Sequence, residues 1–309
     1  MVLENRQKRS RIVVGAALIL GSLTLAACGS TSATPGVIQV VGAEVQYGDV
    51  LAQIGGPYVH VTSMMNNPNT DPHNFEASPS VARAIASAQL IVQNGAGYDS
   101  FMNQLEAASS SSSRVVVTMA QLLHQTTVAN PHFWYSPSAL PTLAQVVATD
   151  LVKIDPSHAA YFRATAVAFQ SSWRPVTMAL ATASRDLAHR PVATTEPVGD
   201  YLLSAIGLNN LTPFRFQADV MNGIDPSPQD IVTQQNLLNN HQVGALCFNA
   251  QVSSPVTTAL RNLAVKDKVP LVAIYETMPA GQHVQGWMLE EIRAIEAALT
   301  HGVSTVSFA

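Results

Sequence analysis

Seven short apolar runs, spaced by segments of helical periodicity, constrain this chain more than any other feature. Val37–Val41, Val59–Met65, Gln89–Gln93 and Arg114–Thr118 read as strands, with helices over Tyr47–Ile54, Ser80–Ala88 and Ser100–Ala107 between them. Ser109–Ser113 is a low-complexity loop before the fourth strand. Parallel strands need a crossover to return the chain, so this rhythm predicts a parallel sheet covered on both faces. After His189 the rhythm resumes. Pro191–Thr195, Gly244–Asn249 and Leu271–Tyr275 are strand-like; Val198–Ala205, Pro228–Asn239, Val256–Val265 and Gln285–Thr300 are helix-like.

The middle of the chain differs. From Pro137 to His189 strand signals give way to helical periodicity through Leu143, Val147, Leu151, Tyr161, Phe169, Val176, Leu180 and Leu187. Asp155-Pro156 is expected to separate two helices, and Pro175 to kink or break the second, because proline removes one backbone donor and clashes with the preceding turn. The simplest architecture is α/β: two parallel-sheet lobes of βα units joined by a long connecting helix. A composition 47% hydrophobic but only 6% aromatic suits such a packed fold and argues against disorder. The formal charge of −4, without a basic stripe, speaks against nucleic acid as a partner.

The N-terminus stands apart from the fold. Arg6, Lys8, Arg9 and Arg11 form a basic head before an apolar run from Ile12 to Ala27, too short to span a membrane comfortably and laid out as a secretory signal. It closes on Leu25-Ala26-Ala27-Cys28-Gly29, which resembles the lipobox of bacterial lipoproteins and implies lipidation of Cys28. Cleavage there removes four bases and one acid, taking the formal charge from −4 to −7. Gly29–Gly36, rich in Ser, Thr, Gly and Pro, reads as a tether. With Cys28 lipidated, Cys247 has no partner for a disulfide and reads as a small buried hydrophobe. The expected division is signal 1–27, tether 28–36, N-terminal lobe 37–137, connecting helices 138–190 and C-terminal lobe 191–309.

Four places put ligand-capable side chains beside proline or at strand ends: Asp71-Pro72-His73, Asn130-Pro131-His132, Thr195-Glu196-Pro197 and Tyr275-Glu276-Thr277. Open parallel sheets bind ligands outside the carboxyl ends of their strands. His73, His132, Glu196 and Glu276 therefore qualify for one crevice, two from each lobe. Singly, each has an ordinary explanation: a loop histidine is usually solvated, and Glu196 before Pro197 suits a helix start. The set is what carries weight.

The wider strings agree. SMMNNPNTDPHNFEASPS at 63–80 with AQLIVQNGAG at 88–97, NPHFWYSP at 130–137 and TTEPVGDYLLSAIGL at 194–208 resemble segments of the cluster-9 metal-binding proteins, the zinc- and manganese-type components of ABC importers. The resemblance runs from about Val37 to about Leu299. It implies a metal site in the cleft between the lobes, with His73 as first ligand, His132 as second, Glu196 as third and Glu276 as fourth, His283 being the alternative for the last. It also implies an ABC permease as partner, a lipid anchor holding a monomer outside the cytoplasmic membrane, and no enzymatic activity. Its long connecting helix implies restricted lobe movement, with release through loop shifts near Glu196 and Glu276. A surface adhesin of the same fold and a secreted metallohydrolase are the rival readings. The second is disfavoured by the lack of an HExxH motif and by four protein ligands where catalysis keeps a position open.

Two imidazoles and two carboxylates suit Mn²⁺ or Zn²⁺, with Fe²⁺ a further candidate. A Glu in third place and a Leu105–Ala129 stretch containing only His124, rather than a His-rich loop, lean slightly to manganese. Both histidines must be neutral to donate a lone pair. Affinity for Mn²⁺ or Zn²⁺ should therefore fall steeply between about pH 7.5 and 5.5, around the ordinary histidine range. A flat calorimetric titration across that interval would count against histidine ligation.

Overall fold

The computed structural model describes residues 36–67, 75 and 78–308. The signal, lipobox and Cys28 lie outside the described residues, as does His73.

The front half runs β1 (Ile38–Glu44), α1 (Val45–Gly55), β2 (Val59–Met65), α2 (Pro79–Ser87), β3 (Leu90–Gln93), α3 (Phe101–Ala108), β4 (Val115–Thr118) and the single turn α4 (Met119–Leu122). Its four strands are all parallel in the order β2-β1-β3-β4, with Val40 opposite both Val61 and Leu90 and Ile91 opposite Val116. Two helices follow, α5 (Ala139–Ile154) and α6 (Ala159–Leu187), parted by a 3₁₀ turn at Pro156–His158. The back half runs β5 (Pro191–Thr194), α7 (Asp200–Ile206), β6 (Asn209–Asn210), α8 (Phe214–Met221), α9 (Pro228–Asn239), β7 (Leu246–Asn249), α10 (Pro255–Lys266), β8 (Leu271–Ile274) and α11 (Val284–His301). A second parallel sheet results, ordered β6-β5-β7-β8.

Local chemistry sets several boundaries. Helices α2, α9 and α10 each begin at a Ser-Pro pair. Ser78, Ser227 and Ser254 accept the N–H of Val81, Asp230 and Thr257, while the proline occupies a first-turn position where no donor is needed. In α10 the Thr257 hydroxyl returns the bond to the Ser254 N–H, completing a capping box. Chain passes from β1 into α1 without a loop, which forces the two backbones together at Gly42 and Gly48. A Cβ on Gly42 would meet the Gly48 nitrogen at 2.5 Å.

Strand alternation divides the core. Val41 and Ala43 face Met64, Ile85, Ile91 and Met102 on the outer side of the first sheet. Leu246, Phe248, Leu271 and Ala273 face an equivalent outer layer with Phe216, Leu238 and Leu260. The inner faces, through Ile38, Val40, Val192, Cys247, Val272 and Ile274, join α1, α5, α6 and α11 in a single apolar cluster. Cys247 is the small buried residue expected of it, and burial pushes its thiol well above the usual range.

Pro175 does not end its helix. α6 continues from Ala159 to Leu187 with the proline inside it. Its buried stripe, Phe162, Phe169, Trp173, Val176 and Leu180, packs regardless, and Pro175 lies on the exposed side, where the carbonyl it leaves without a donor is on the solvent face.

One buried acid ties the segment before α5 to the last strand. Glu291 of α11 is fully buried, and its Oε1 accepts from Tyr135 Oη (2.8 Å), Trp287 Nε1 (3.0 Å) and the Tyr275 N–H (3.3 Å). Burial pushes its carboxyl up to about 8 despite these donors. Between its ordinary value of 4.5 and about 8 the unfolded chain has lost this proton and the folded chain retains it, so this group makes stability fall as pH rises. Glu291→Gln keeps an acceptor without the ionisation. Thermal unfolding should show a shallower loss of stability in the variant than in wild type from pH 5 to 8; identical slopes would mean Glu291 is not proton-bearing.

Candidate metal centre

Glu196 lies two residues beyond β5, Asn249 ends β7, and Glu276 lies two residues beyond β8. Because the sheet order is β5-β7-β8, the asparagine sits on the strand between the two acids. His132 precedes the 3₁₀ turn Phe133–Tyr135, whose three side chains are all buried.

His132 is completely buried. Its Nδ1 lies 2.7 Å from Asn130 Oδ1, and the same oxygen accepts the His132 backbone N–H at 3.1 Å. An atom receiving a backbone N–H must be the amide oxygen, so Nδ1 carries a proton, and in the neutral ring Nε2 then presents its lone pair. That Nε2 is buried without a hydrogen-bond partner among the described residues, and it lies 3.7 Å from Glu276 Oε2. Asn130 also reaches the other lobe. Its Nδ2 donates to Pro197 O at 2.7 Å, next to Glu196, and its carbonyl accepts from Tyr201 Oη at 2.9 Å. Trp134 and Tyr98 stand edge-on to the imidazole, with centroids at 5.3 and 5.6 Å.

Glu276 is held at every level. Gln251 Oε1 accepts its N–H at 2.6 Å and that of Thr277 at 2.8 Å, while Gln46 Nε2 donates to its carbonyl at 3.3 Å. On the side chain, Tyr98 Oη donates to Oε2 (2.9 Å) and Asn249 Nδ2 to Oε1 (2.5 Å). Burial first, and then the Glu276 carboxylate, hold the Tyr98 phenol well above its ordinary value, so it stays a donor. Asn249 Nδ2 also donates to Glu196 Oε2 at 3.2 Å. Glu196 and Glu276 are 3% and 0% exposed, which is tolerable for carboxylates only because such donors meet them.

A second pair of buried acids, Glu44 at the end of β1 and Asp99, belongs to the front lobe. Asp99 takes the N–H groups of Asn94 (2.6 Å) and Gly95 (2.8 Å). Burial, reinforced by the Asp99 charge, raises Glu44 well above the usual carboxylate range.

The structure thus brings His132 against Glu276 and links Glu196 to Glu276 through one amide. Among the described residues no three His, Cys, Asp or Glu side chains stand close enough to hold an ion by themselves. His73 falls outside the described residues. His283, the alternative to Glu276, has a side chain 72% exposed, with Nδ1 2.6 Å from Asp49 Oδ1. Reading residues for ligand capability missed Asn130, Tyr98, Asn249 and Gln251. Asn249 met the strand-end criterion applied to Glu196 and Glu276, and the Asn-x-Gln spacing at the end of Gly244–Asn249 was the available signal.

The chain is 23% identical over 259 residues to the manganese-binding lipoprotein MntA of Bacillus subtilis (strain 168), covering 79% of this chain and 82% of that protein. Among solved structures it resembles the periplasmic zinc binding protein TroA from Treponema pallidum, with a TM-score of 0.72, 20% identity, and coverage of 85% and 99% of the two chains. The laminin-binding adhesin Lmb from Streptococcus agalactiae is similar in fold as well, at a TM-score of 0.69, 17% identity, and coverage of 85% and 100%. The family model described as "Zinc-uptake complex component A periplasmic" matches residues 40–298, nearly the whole of the two-lobed fold, and the chain belongs to that family, ZnuA.

Proposed function

We propose that this chain captures one divalent transition metal, Mn²⁺ or Zn²⁺ with Fe²⁺ as a further candidate, outside the cytoplasmic membrane and delivers it to an ABC permease. His73, His132, Glu196 and Glu276 are the proposed ligands, the metal being cargo. The observation that carries the reading is the His132 imidazole: Nδ1 is committed to Asn130, and a buried Nε2 lone pair lies 3.7 Å from a carboxylate oxygen. Burying a ring nitrogen without a donor costs free energy that an ion would recover. The Asn130 bond also leaves the ring in the tautomer a metal ligand needs.

The remaining parts of the reading have their own support. The lipobox-like sequence ending at Cys28 supports a lipid anchor, and residues 29–36 a tether between membrane and fold. The boundaries 37–137, 138–190 and 191–309 are proposed for the two lobes and the connecting helices. A monomer is the proposed state, with the permease as partner. Four protein donors with no position left for a reacting water favour carriage over hydrolysis, so the chain is proposed to be no enzyme. Likeness to an adhesin at 17% identity carries the fold alone and leaves transport the better-supported function.

Metal analysis of chain purified without chelator should find close to one ion per molecule. At a hundredfold excess over Kd, bound metal stabilises the native state by about 2.7 kcal/mol, a melting shift of about 4–5 °C for a chain this long. His132→Ala and His73→Ala should each remove most of that shift; an unchanged shift in both variants would remove the site. Asn130→Ala should fold and bind about 10–100-fold more weakly, since it frees the ring without deleting it. Wild-type affinity in that variant, measured by competition with a chromophoric chelator, would deny Asn130 its orienting part.

A further inference from the structure

The turn that follows β3 reaches two of the proposed ligands. Tyr98 donates its phenol to Glu276 Oε2 at 2.9 Å, and Asn94 Nδ2 donates to the carbonyl of Pro131, the residue before His132, at 2.9 Å. Between them Gly95, Ala96 and Gly97 all take positive φ (77°, 51° and 87°), a conformation that costs alanine free energy and that surrounding bonds must hold. The Asp99 carboxylate supplies such bonds, accepting the N–H groups of Asn94 (2.6 Å) and Gly95 (2.8 Å) across the turn.

Asp99 is itself backed by Glu44, at the end of β1. Glu44 is 2% exposed, and neither of its carboxyl oxygens meets an N–H or O–H group of another described residue. The titratable groups that act on it are Asp99 and the phenols of Tyr47 and Tyr98, none of them a cation. An ionised carboxylate buried without donor or counter-charge is too costly to keep. Asp99 acts on Glu44 as a side-chain hydrogen-bond partner as well as by charge. Two carboxylates have no hydrogen to share unless one keeps its proton. Burial raises both acids. Against it Asp99 has the N–H groups of Asn94 and Gly95, whereas Glu44 has no donor but its own N–H, so the proton belongs on Glu44.

We infer that Glu44 is a positioning residue for the metal site: as the neutral acid it donates its O–H to Asp99, which holds the Asn94–Asp99 turn and with it the Tyr98 phenol on Glu276. The proton assignment stands on the front lobe alone; its effect on metal rests on the proposed ligand set.

The test uses the full chain as wild type, Glu44→Gln and Glu44→Ala, with melting curves to establish folding. In metal-free chain at neutral pH, the infrared difference between wild type and Glu44→Gln should show the C=O band of an un-ionised carboxylic acid, shifted in D₂O. Glu291 is present in both and cancels. Absence of that band overturns the inference, whether the carboxylate is then bare or holds a cation. Glutamine keeps a donor for Asp99 and alanine does not. Glu44→Gln should therefore bind Mn²⁺ and Zn²⁺ as wild type does, and Glu44→Ala about tenfold more weakly, as for other outer partners of metal ligands. Should the alanine variant not fold, Glu44→Leu, which fills the space without a donor, takes its place. A glutamine variant as weak as alanine, or an alanine variant as tight as wild type, also overturns the inference. A wild type that binds neither ion removes the importer reading and the positioning role together, while the infrared band still decides the proton.

Discussion

A carboxylate taken out of water needs a donor for each oxygen, and the back lobe is organised around meeting that need for Glu276. Four side chains converge on this one residue: Tyr98 and Asn249 on its side chain, Gln46 on its carbonyl, and Gln251 on its N–H, the last also taking the N–H of Thr277. Tyr98 and Gln46 come from the front lobe, Asn249 and Gln251 from the strand end beside it. The acid is therefore also where the lobes meet. Among the described residues the groups shown to set its position are neutral, so none of these offsets the negative charge it would offer an ion. An arginine in place of these amides would satisfy the same oxygens and cancel the attraction.

The same economy appears at His132. Asn130 uses its oxygen to fix the ring and its nitrogen to hold Pro197 O, so a single amide couples the orientation of one proposed ligand to the backbone beside another. Asn249 repeats the arrangement with two carboxylates. Neutral side chains with both a donor and an acceptor can position charged groups from behind without competing for the metal. This explains why the buried supports of the site are asparagine, glutamine and tyrosine.

Strand and helix positions were largely legible because they depend on local pattern. Val59–Met65 and Pro228–Asn239 stand where periodicity puts them, and the Asp155-Pro156 break separates α5 from α6. What could not be read locally depends on tertiary partners. β6 is two polar residues, Asn209–Asn210, with no apolar run to announce it. α8 buries Gln217, a helix-face residue whose burial makes sense only once its Nε2 meets Thr194 Oγ1 (2.8 Å) and Asp200 Oδ2 (2.9 Å). The break offered as one outcome at Pro175 did not occur, for the converse reason. Its local penalty is real, but the buried face of α6 turns away from it. At the site, His132, Glu196 and Glu276 were visible as ligand types beside prolines and strand ends. Asn249 ends the run Gly244–Asn249 and met the same strand-end criterion, but what it does comes from β7 lying between β5 and β8, a matter of strand order that spacing along the chain does not encode.

Strand order and core together bear on how such a site releases what it holds. One apolar cluster runs through the inner faces of both sheets by way of α1, α5, α6 and α11, so a wide hinge would expose it at a cost of about 25 cal/mol per Å². Polar ties reinforce the closure. Asp49 of α1 accepts the Val284 N–H at the start of α11 (2.9 Å), and Gln53 and Gln285 exchange hydrogen bonds between the same two helices. The contacts that Tyr98, Asn130 and Gln251 make around Glu196 and Glu276 are different in kind: hydrogen bonds from segments outside the helices and strands, which can be exchanged one at a time. Local rearrangement at Tyr98, Asn130 and Gln251 therefore costs less than separating the lobes, and the proposed exit of the metal follows the cheaper path.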